Sequence, residues 1–280
     1  MKGRVRMTKL VFFDIDGTLV TRNNHIPPST VQAINQLKGN GVTPVIATGR
    51  PPVLLKEIAE KLEIDSYVSM NGQYIVFQGE VIYSNPLDNT LVDEIVTCAD
   101  ENHDGVVLCT ENELIVNSFF SLLTRGTMLT LMKSLIGIIP DRIKLSLWDR
   151  IIQKNPEREH YENKDVFMVN VNANQQEEQK YAHLFDDLTF TRANKMAMDI
   201  INKGVSKATG VEKMMRILEI PIENTYAFGD GLNDLEMLQF VGTGVAMDNG
   251  FEELKIAADY VTESVFDDGI LKGLQKFNLI

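Results

Sequence analysis

The chain has 280 residues, 44% of them apolar, and a net charge of −12. That length can bury a sizeable core in one large or two medium domains. So acidic a chain argues against nucleic-acid and anionic-membrane partners, which would repel it, but not against a small phosphorylated ligand held in a locally positive pocket. Cys98 and Cys109 fit no metal spacing and suit a reducing, cytoplasmic setting. His25, His103, His160 and His183 are scattered and read as surface or packing residues. No apolar stretch approaches the ~18 residues of a membrane span, and the basic start, Met1 to Lys9, lacks the apolar core of a signal peptide.

The first third alternates strand and helix. Leu10 to Phe13 is a continuous apolar run, as expected of a parallel strand covered on both faces. Pro27-Pro28-Ser29-Thr30 opens a helix that Gly39 to Gly41 stops, Val42 to Ala47 is a second buried strand, and Pro51 begins a second helix. Tyr67 to Met70, Tyr74 to Phe77 and Val81 to Tyr83 read as strands, with turns at Asn71-Gly72 and Gln78-Gly79.

The middle has a different rhythm. Helices are expected over Asp88 to Asn102, Ser118 to Leu135, around Pro156 to Tyr161, and over Gln175 to Phe185. Strands are expected over Gly105 to Cys109, Leu114 to Val116, Lys144 to Trp148 and Val166 to Val171, with a hairpin of Leu188 to Arg192 and Met196 to Ile201 around Ala193-Asn194-Lys195. The last third alternates again: helix Val205 to Leu218, strand Thr225 to Phe228, helix Leu232 to Phe240, strand Gly244 to Met247, helix Phe251 to Ala257. The fold class is therefore α/β, a doubly wound, Rossmann-like parallel-sheet core of residues 1–83 and 203–280 with an α+β domain of residues 84–202 inserted into it.

In an open parallel sheet, ligands sit beyond the carboxyl ends of the strands. Asp14 and Asp16 end the first strand, Thr48-Gly49-Arg50 the second, and Gly229-Asp230-Gly231-Leu232-Asn233-Asp234 a later one; Lys207 stands at a helix start. Taken singly, each acid could be a turn residue or helix cap, Thr48 and Asn233 N-caps, and Lys207 a surface lysine. Taken together they converge on one sheet edge, where four carboxylates cannot all stay ionised without a cation. A hard dication such as Mg²⁺, with oxygen ligands and a substrate phosphate, resolves this. The Thr48 hydroxyl, the Gly49 N–H and the Asn233 amide are donors for phosphate oxygens, and Lys207 supplies positive charge. Arg50 and Asn71 lie at the same edge without an assigned role.

D-I-D-G-T-L from Asp14, A-T-G-R from Ala47, G-V-S-K ending at Lys207 and G-D-G-L-N-D from Gly229 resemble, in this order, the four motifs of the haloacid-dehalogenase superfamily. The insertion between the second and third motifs resembles the Cof-like phosphatases, whose large α/β cap closes over the site and chooses the leaving group. The resemblance implies Mg²⁺-dependent hydrolysis of a small phosphorylated metabolite, a sugar phosphate or phosphorylated cofactor. Asp14 would be the nucleophile that becomes an aspartyl-phosphate, and Asp16 the general acid and then base. Mg²⁺ would be held by Asp14, the Asp16 main-chain carbonyl and Asp230, with Asp234 in close support. The Ile15 N–H, Thr48, Gly49, Lys207 and Asn233 would cradle the phosphoryl group. A phosphomutase-like phosphotransferase is the alternative enzyme. A non-catalytic phospho-acceptor or binding protein is a third reading, against which Asp16 argues, since such a protein needs no acid–base group there.

Overall fold

The structure, a computed structural model, describes residues 9–21, 23–116, 155–192 and 197–280. The expected helix over 118–135, the strand over 144–148 and the hairpin tip at 193–196 lie outside the described residues. In chain order the described strands are β1 (Leu10–Phe13), β2 (Thr43–Ala47), β3 (Tyr67–Ser69), β4 (Tyr74–Phe77), β5 (Glu80–Ser84), β6 (Val106–Cys109), β7 (Leu114–Ile115), β8 (Met168–Val171), β9 (Leu188–Thr191), β10 (Met198–Asn202), β11 (Thr225–Gly229), β12 (Thr243–Met247) and β13 (Tyr260–Thr262). The described α-helices are α1 (Pro28–Gly39), α2 (Pro52–Leu62), α3 (Asn89–Asn102), α4 (Gln175–Leu184), α5 (Lys207–Ile217), α6 (Leu235–Phe240), α7 (Glu252–Ala257) and α8 (Gly269–Lys276). They form two compact units, Met1–Ser84 with Gly204–Ile280, and Asn85–Lys203.

In the first unit the strand order is β13-β12-β11-β1-β2-β3-β4-β5. The strands from β13 to β3 are parallel, and β3, β4 and β5 continue as an antiparallel meander. The central strand shows why this sequence makes a two-faced sheet. Val11 and Phe13 enter one core with Ile34 and Leu37 of α1, Leu55 of α2 and Ile270 of α8. Leu10 and Phe12, on the opposite face, enter a second core with Val211 and Met214 of α5 and Met237 of α6. Each such side chain contributes about 1.5–3 kcal/mol on burial, which is why β1 carries no polar residue until it ends. Prolines stand at the starts of α1 and α2, where a missing N–H costs nothing. Among the described residues no helix is long and apolar enough to cross a membrane.

The second unit is an antiparallel sheet of order β7-β6-β8-β10-β9. Val106, Leu108, Val169, Val171, Met198 and Ile200 pack with Val92 and Ile95 of α3 and Tyr181 of α4.

Several local expectations are corrected. The polar helix around 156–161 is only a 3₁₀ turn, Arg158–His160, none of whose residues is buried. Without an apolar stripe to bury, a helix there does not propagate. β3 stops at Ser69 because Met70 and Asn71 take left-handed conformations, φ 48° and 56°. The helix expected from Leu232 is a 3₁₀ turn, Leu232–Asp234, followed by α6. Strand β13 and helix α8 were not anticipated.

Candidate active site

β1 lies between β2 and β11, so the strand order reverses there and opens a crevice beyond its carboxyl end. Phe13 and Phe228 stack at 5.2 Å between ring centroids, and the Asp14 N–H donates to the Phe228 carbonyl at 3.0 Å. The chain then leaves the sheet, and Asp14, 6% exposed, is set in the crevice.

Lys207 reaches Asp14 from another direction. Its helix, α5, starts in a capping box of Ser206 and Thr209 and packs directly on the Met70–Gly72 turn. A Cβ on Gly210 would stand 2.5 Å from the Gly72 Cα, so the approach requires glycine. The Lys207 side chain is 1% exposed; its ammonium donates to Asp14 and, at 2.6 Å, to Asp234 Oδ1. A solvated surface lysine is thereby excluded. Asp234 is fully buried, and its Oδ2 accepts the N–H groups of Asp230 and Gly231 at 3.1 and 2.9 Å. Both Asp234 oxygens are thus engaged, and the residue braces the β11 loop and the lysine.

Asp230 Oδ1 accepts the Thr18 hydroxyl at 3.0 Å. Gly17 has φ +90°, and a Cβ there would fall 2.1 Å from Asp230 Oδ2, so the glycine leaves room for the carboxylate. The carboxylates of Asp14, Asp230 and Asp234 offer oxygens within 4.8 Å of one another. Burial pushes the Asp14 carboxyl up to about 8, overcoming the attraction of Lys207. Burial likewise raises Asp230 to about 6 against the Thr18 hydrogen bond. For Lys207 burial acts to lower the ammonium, but Asp14 and Asp234 outweigh it and hold the ammonium above its usual range. One ammonium does not balance three carboxylates, and an all-oxygen donor set in this spacing fits a hard divalent cation.

Asp16 is placed differently. Its side chain is 63% exposed and sits in the fork of Arg50, with Nε 2.9 Å from Oδ2 and the terminal nitrogen on Oδ1. Arg50 also reaches Asn24 Oδ1 at 3.3 Å and the Leu54 carbonyl at 3.4 Å. Thr48 is 2% exposed, and its Oγ accepts the Arg50 N–H at 3.1 Å, which leaves the hydroxyl proton for another acceptor. The N-cap of α2 is Pro51, so Thr48 is not a helix cap. Among the described residues the N–H groups of Ile15 and Gly49 donate to no protein acceptor. The N–H of buried Asn71 donates to the Thr48 carbonyl at 3.1 Å, and the Asn71 side chain lines the space beside Gly49. Asn233 is exposed in the 3₁₀ turn and is not the cap of α6, whose N-cap is Asp234.

Sequence reasoning missed Thr18 and Asn249, and left Arg50 unassigned. Asn249 hydrogen-bonds Gly17, Asp230 and Val265. The available signal was positional: an Asx-Gly pair just past the carboxyl end of β12, on the same edge as the other groups.

The chain is similar to known proteins along most of its length. The sequence model of the haloacid dehalogenase-like hydrolases matches residues 11–274. The chain is 37% identical over 273 residues to YkrA of Bacillus subtilis (strain 168), covering 98% of this chain and 99% of that one. It is 26% identical to the 5-amino-6-(5-phospho-D-ribitylamino)uracil phosphatase YitU of the same organism, covering 96% and 97%. Among solved structures it is similar to the HAD subclass IIB sugar phosphatase BT4131, with a TM-score of 0.76 and 30% identity, covering 98% of this chain and all of that one. It is also similar to BT1666 of Bacteroides thetaiotaomicron, a phosphatase of the same superfamily, with a TM-score of 0.78, 27% identity and coverage of 100% and 98%. The chain belongs to the haloacid dehalogenase-like hydrolases, among relatives that are phosphatases of that superfamily.

Proposed function

We propose that this phosphatase is a Mg²⁺-dependent phosphomonoesterase acting on a small phosphorylated metabolite, a sugar phosphate or phosphorylated cofactor, through an aspartyl-phosphate on Asp14. The observation that carries this reading is the buried Asp14–Lys207–Asp234 array beside Asp230. A carboxylate there is too costly to bury for packing alone, yet it is oriented, charge-supported and open to the crevice. The named activities of YitU and BT4131 support a phosphorylated sugar or ribityl substrate.

Asp14 attacks phosphorus through a carboxylate oxygen as the bond to the leaving oxygen breaks. Asp16 gives a proton to that oxygen, then takes one from the water that attacks the aspartyl-phosphate, releasing phosphate and restoring Asp14. The exposed position of Asp16 suits this exchange. Lys207 favours the ionised form of Asp14 against the effect of burial and offsets charge on the phosphoryl oxygens; the Ile15 and Gly49 N–H groups, the Thr48 hydroxyl and the Asn233 amide donate to those oxygens. Asp14, Asp230 and the Asp16 main-chain carbonyl would hold Mg²⁺. An ion bound there would supply the positive charge that the acid cluster lacks and would offset charge on the phosphate.

The test is release of inorganic phosphate from p-nitrophenyl phosphate and from a panel of sugar, polyol and cofactor phosphates. Release that needs Mg²⁺ and is abolished by a chelator supports the reading. Transfer of phosphate between positions of a sugar, with no net release, would replace it with a mutase. No release and no Mg²⁺ binding would overturn it.

A further inference from the structure

Asn249 lies between β12 and α7, away from all four motifs in sequence. Its Nδ2 donates to the Gly17 carbonyl at 2.9 Å and reaches Asp230 Oδ2 at 3.4 Å, and its Oδ1 accepts the Val265 N–H at 2.8 Å. We propose that Asn249 is a positioning residue for the divalent cation, an inference that rests on the metal-dependent reading above.

The reason is the way Gly17 is held. Its N–H donates to the Val20 carbonyl at 2.8 Å. Because a trans peptide directs its C=O opposite its N–H, that bond aims the Asp16 carbonyl, the main-chain group assigned to the cation. Gly17 stands at φ +90° without a side chain, and the N–H of its far peptide, that of Thr18, donates to the Ile15 carbonyl at 3.3 Å. Asn249 holds its other peptide, so both sides of the residue are pinned. The same amide meets Asp230. Thr18 holds one Asp230 oxygen and Asn249 the other, leaving further lone pairs on each. The orientation of the amide is itself determined. Only an acceptor can face the Val265 N–H, so the NH₂ must face Gly17 and Asp230; a flipped amide would set oxygen against oxygen. Asn249 therefore ties two of the groups assigned to the cation to a third segment, the loop at Val265.

The experiment is Mg²⁺ titration by calorimetry on the full chain, in parallel with melting of the metal-free protein. For Asn249→Ala the expected result is Mg²⁺ binding weaker by ~10- to 100-fold, the usual cost of losing a group that orients a ligand. The Mg²⁺ activation constant should shift in step, with kcat at saturating Mg²⁺ little changed. A merely structural tie would instead lower the metal-free melting temperature and leave Mg²⁺ affinity unaltered, which would overturn the inference. Asn249→Ser, a smaller perturbation, decides the matter if the alanine variant does not fold. Absence of Mg²⁺ binding by the unaltered protein would overturn the metal-dependent reading itself, a result distinct from equal binding by protein and variants.

Discussion

The Lys207 ammonium lies 2.6 Å from Asp234 Oδ1, and neither side chain is more than 1% exposed. The lysine contacts Asp14 as well, so a single buried cation serves two carboxylates. Lys207→Met keeps an unbranched apolar stem as far as Cε and removes the ammonium, which leaves two buried acids uncompensated. Removing one partner of a buried pair costs about 3–5 kcal/mol. Urea unfolding of the metal-free protein at pH 8 should show a loss of that order, and phosphate release should fall with it. A loss of stability that is too small to measure would mean that Lys207 does not hold the acids.

Asp16 stands apart, exposed and held by Arg50 rather than by Lys207. Asp16→Asn should slow turnover by ~10²–10⁴, the usual worth of a general acid or base. The first, phosphoryl-transfer step should suffer less with p-nitrophenyl phosphate than with an alkyl phosphate, because p-nitrophenolate leaves without a proton. Rapid-quench measurement of that step with both substrates checks this. Equal losses would assign the proton to another group.

The four motif segments were legible because acids and a glycine end otherwise apolar strands, and one topology brings strand ends together. The partnerships were not legible. Thr18 meets Asp230 across 212 positions, and the Arg50–Asp16 fork depends on two loops whose paths no periodicity encodes. Asn249 stands in Asp248-Asn249-Gly250, which reads as a plain turn. Helix α8 escaped because Gly269 and Gly273 weaken its helical pattern. Yet Gly273 is what lets the helix lie against the Phe228 ring, since a Cβ there would be 2.5 Å from that ring.

Gly210 offers a test of how packing places the lysine. Gly210→Ala would set a Cβ 2.5 Å from the Gly72 Cα, backbone against backbone, where neither can yield cheaply. Overpacking of this kind costs about 1–3 kcal/mol. The start of α5 should shift away from the turn and carry Lys207 with it, so activity should fall more steeply than stability. Melting temperature and kcat measured together decide this. Full activity in the variant would show that Lys207 is not placed by this contact.

Asp14 and Asp230 give the metal-free protein a pH dependence of definite sign. Both carboxyls are raised by burial, to about 8 and about 6. Between the ordinary carboxylate range and those values, the folded state keeps protons that the unfolded chain has released. Stability conferred at low pH is therefore lost as pH rises through about 6 and then about 8. Mg²⁺ held by these two acids, as proposed, would compete with the same protons and so bind more tightly as they leave. The rise in melting temperature on adding Mg²⁺ should be larger at pH 8 than at pH 5. A larger rise at pH 5 would contradict the assignment of these two acids to the cation.

In the proposed mechanism Asp14 carries the phosphoryl group. Acid quenching during turnover, followed by borohydride reduction and mass spectrometry, reads this directly, because an aspartyl-phosphate is reduced to homoserine. The expected result is homoserine at position 14 in the unaltered protein and none in Asp14→Asn, which should fold normally and release no phosphate. Homoserine at Asp16 or Asp230, or normal turnover by Asp14→Asn, would contradict it.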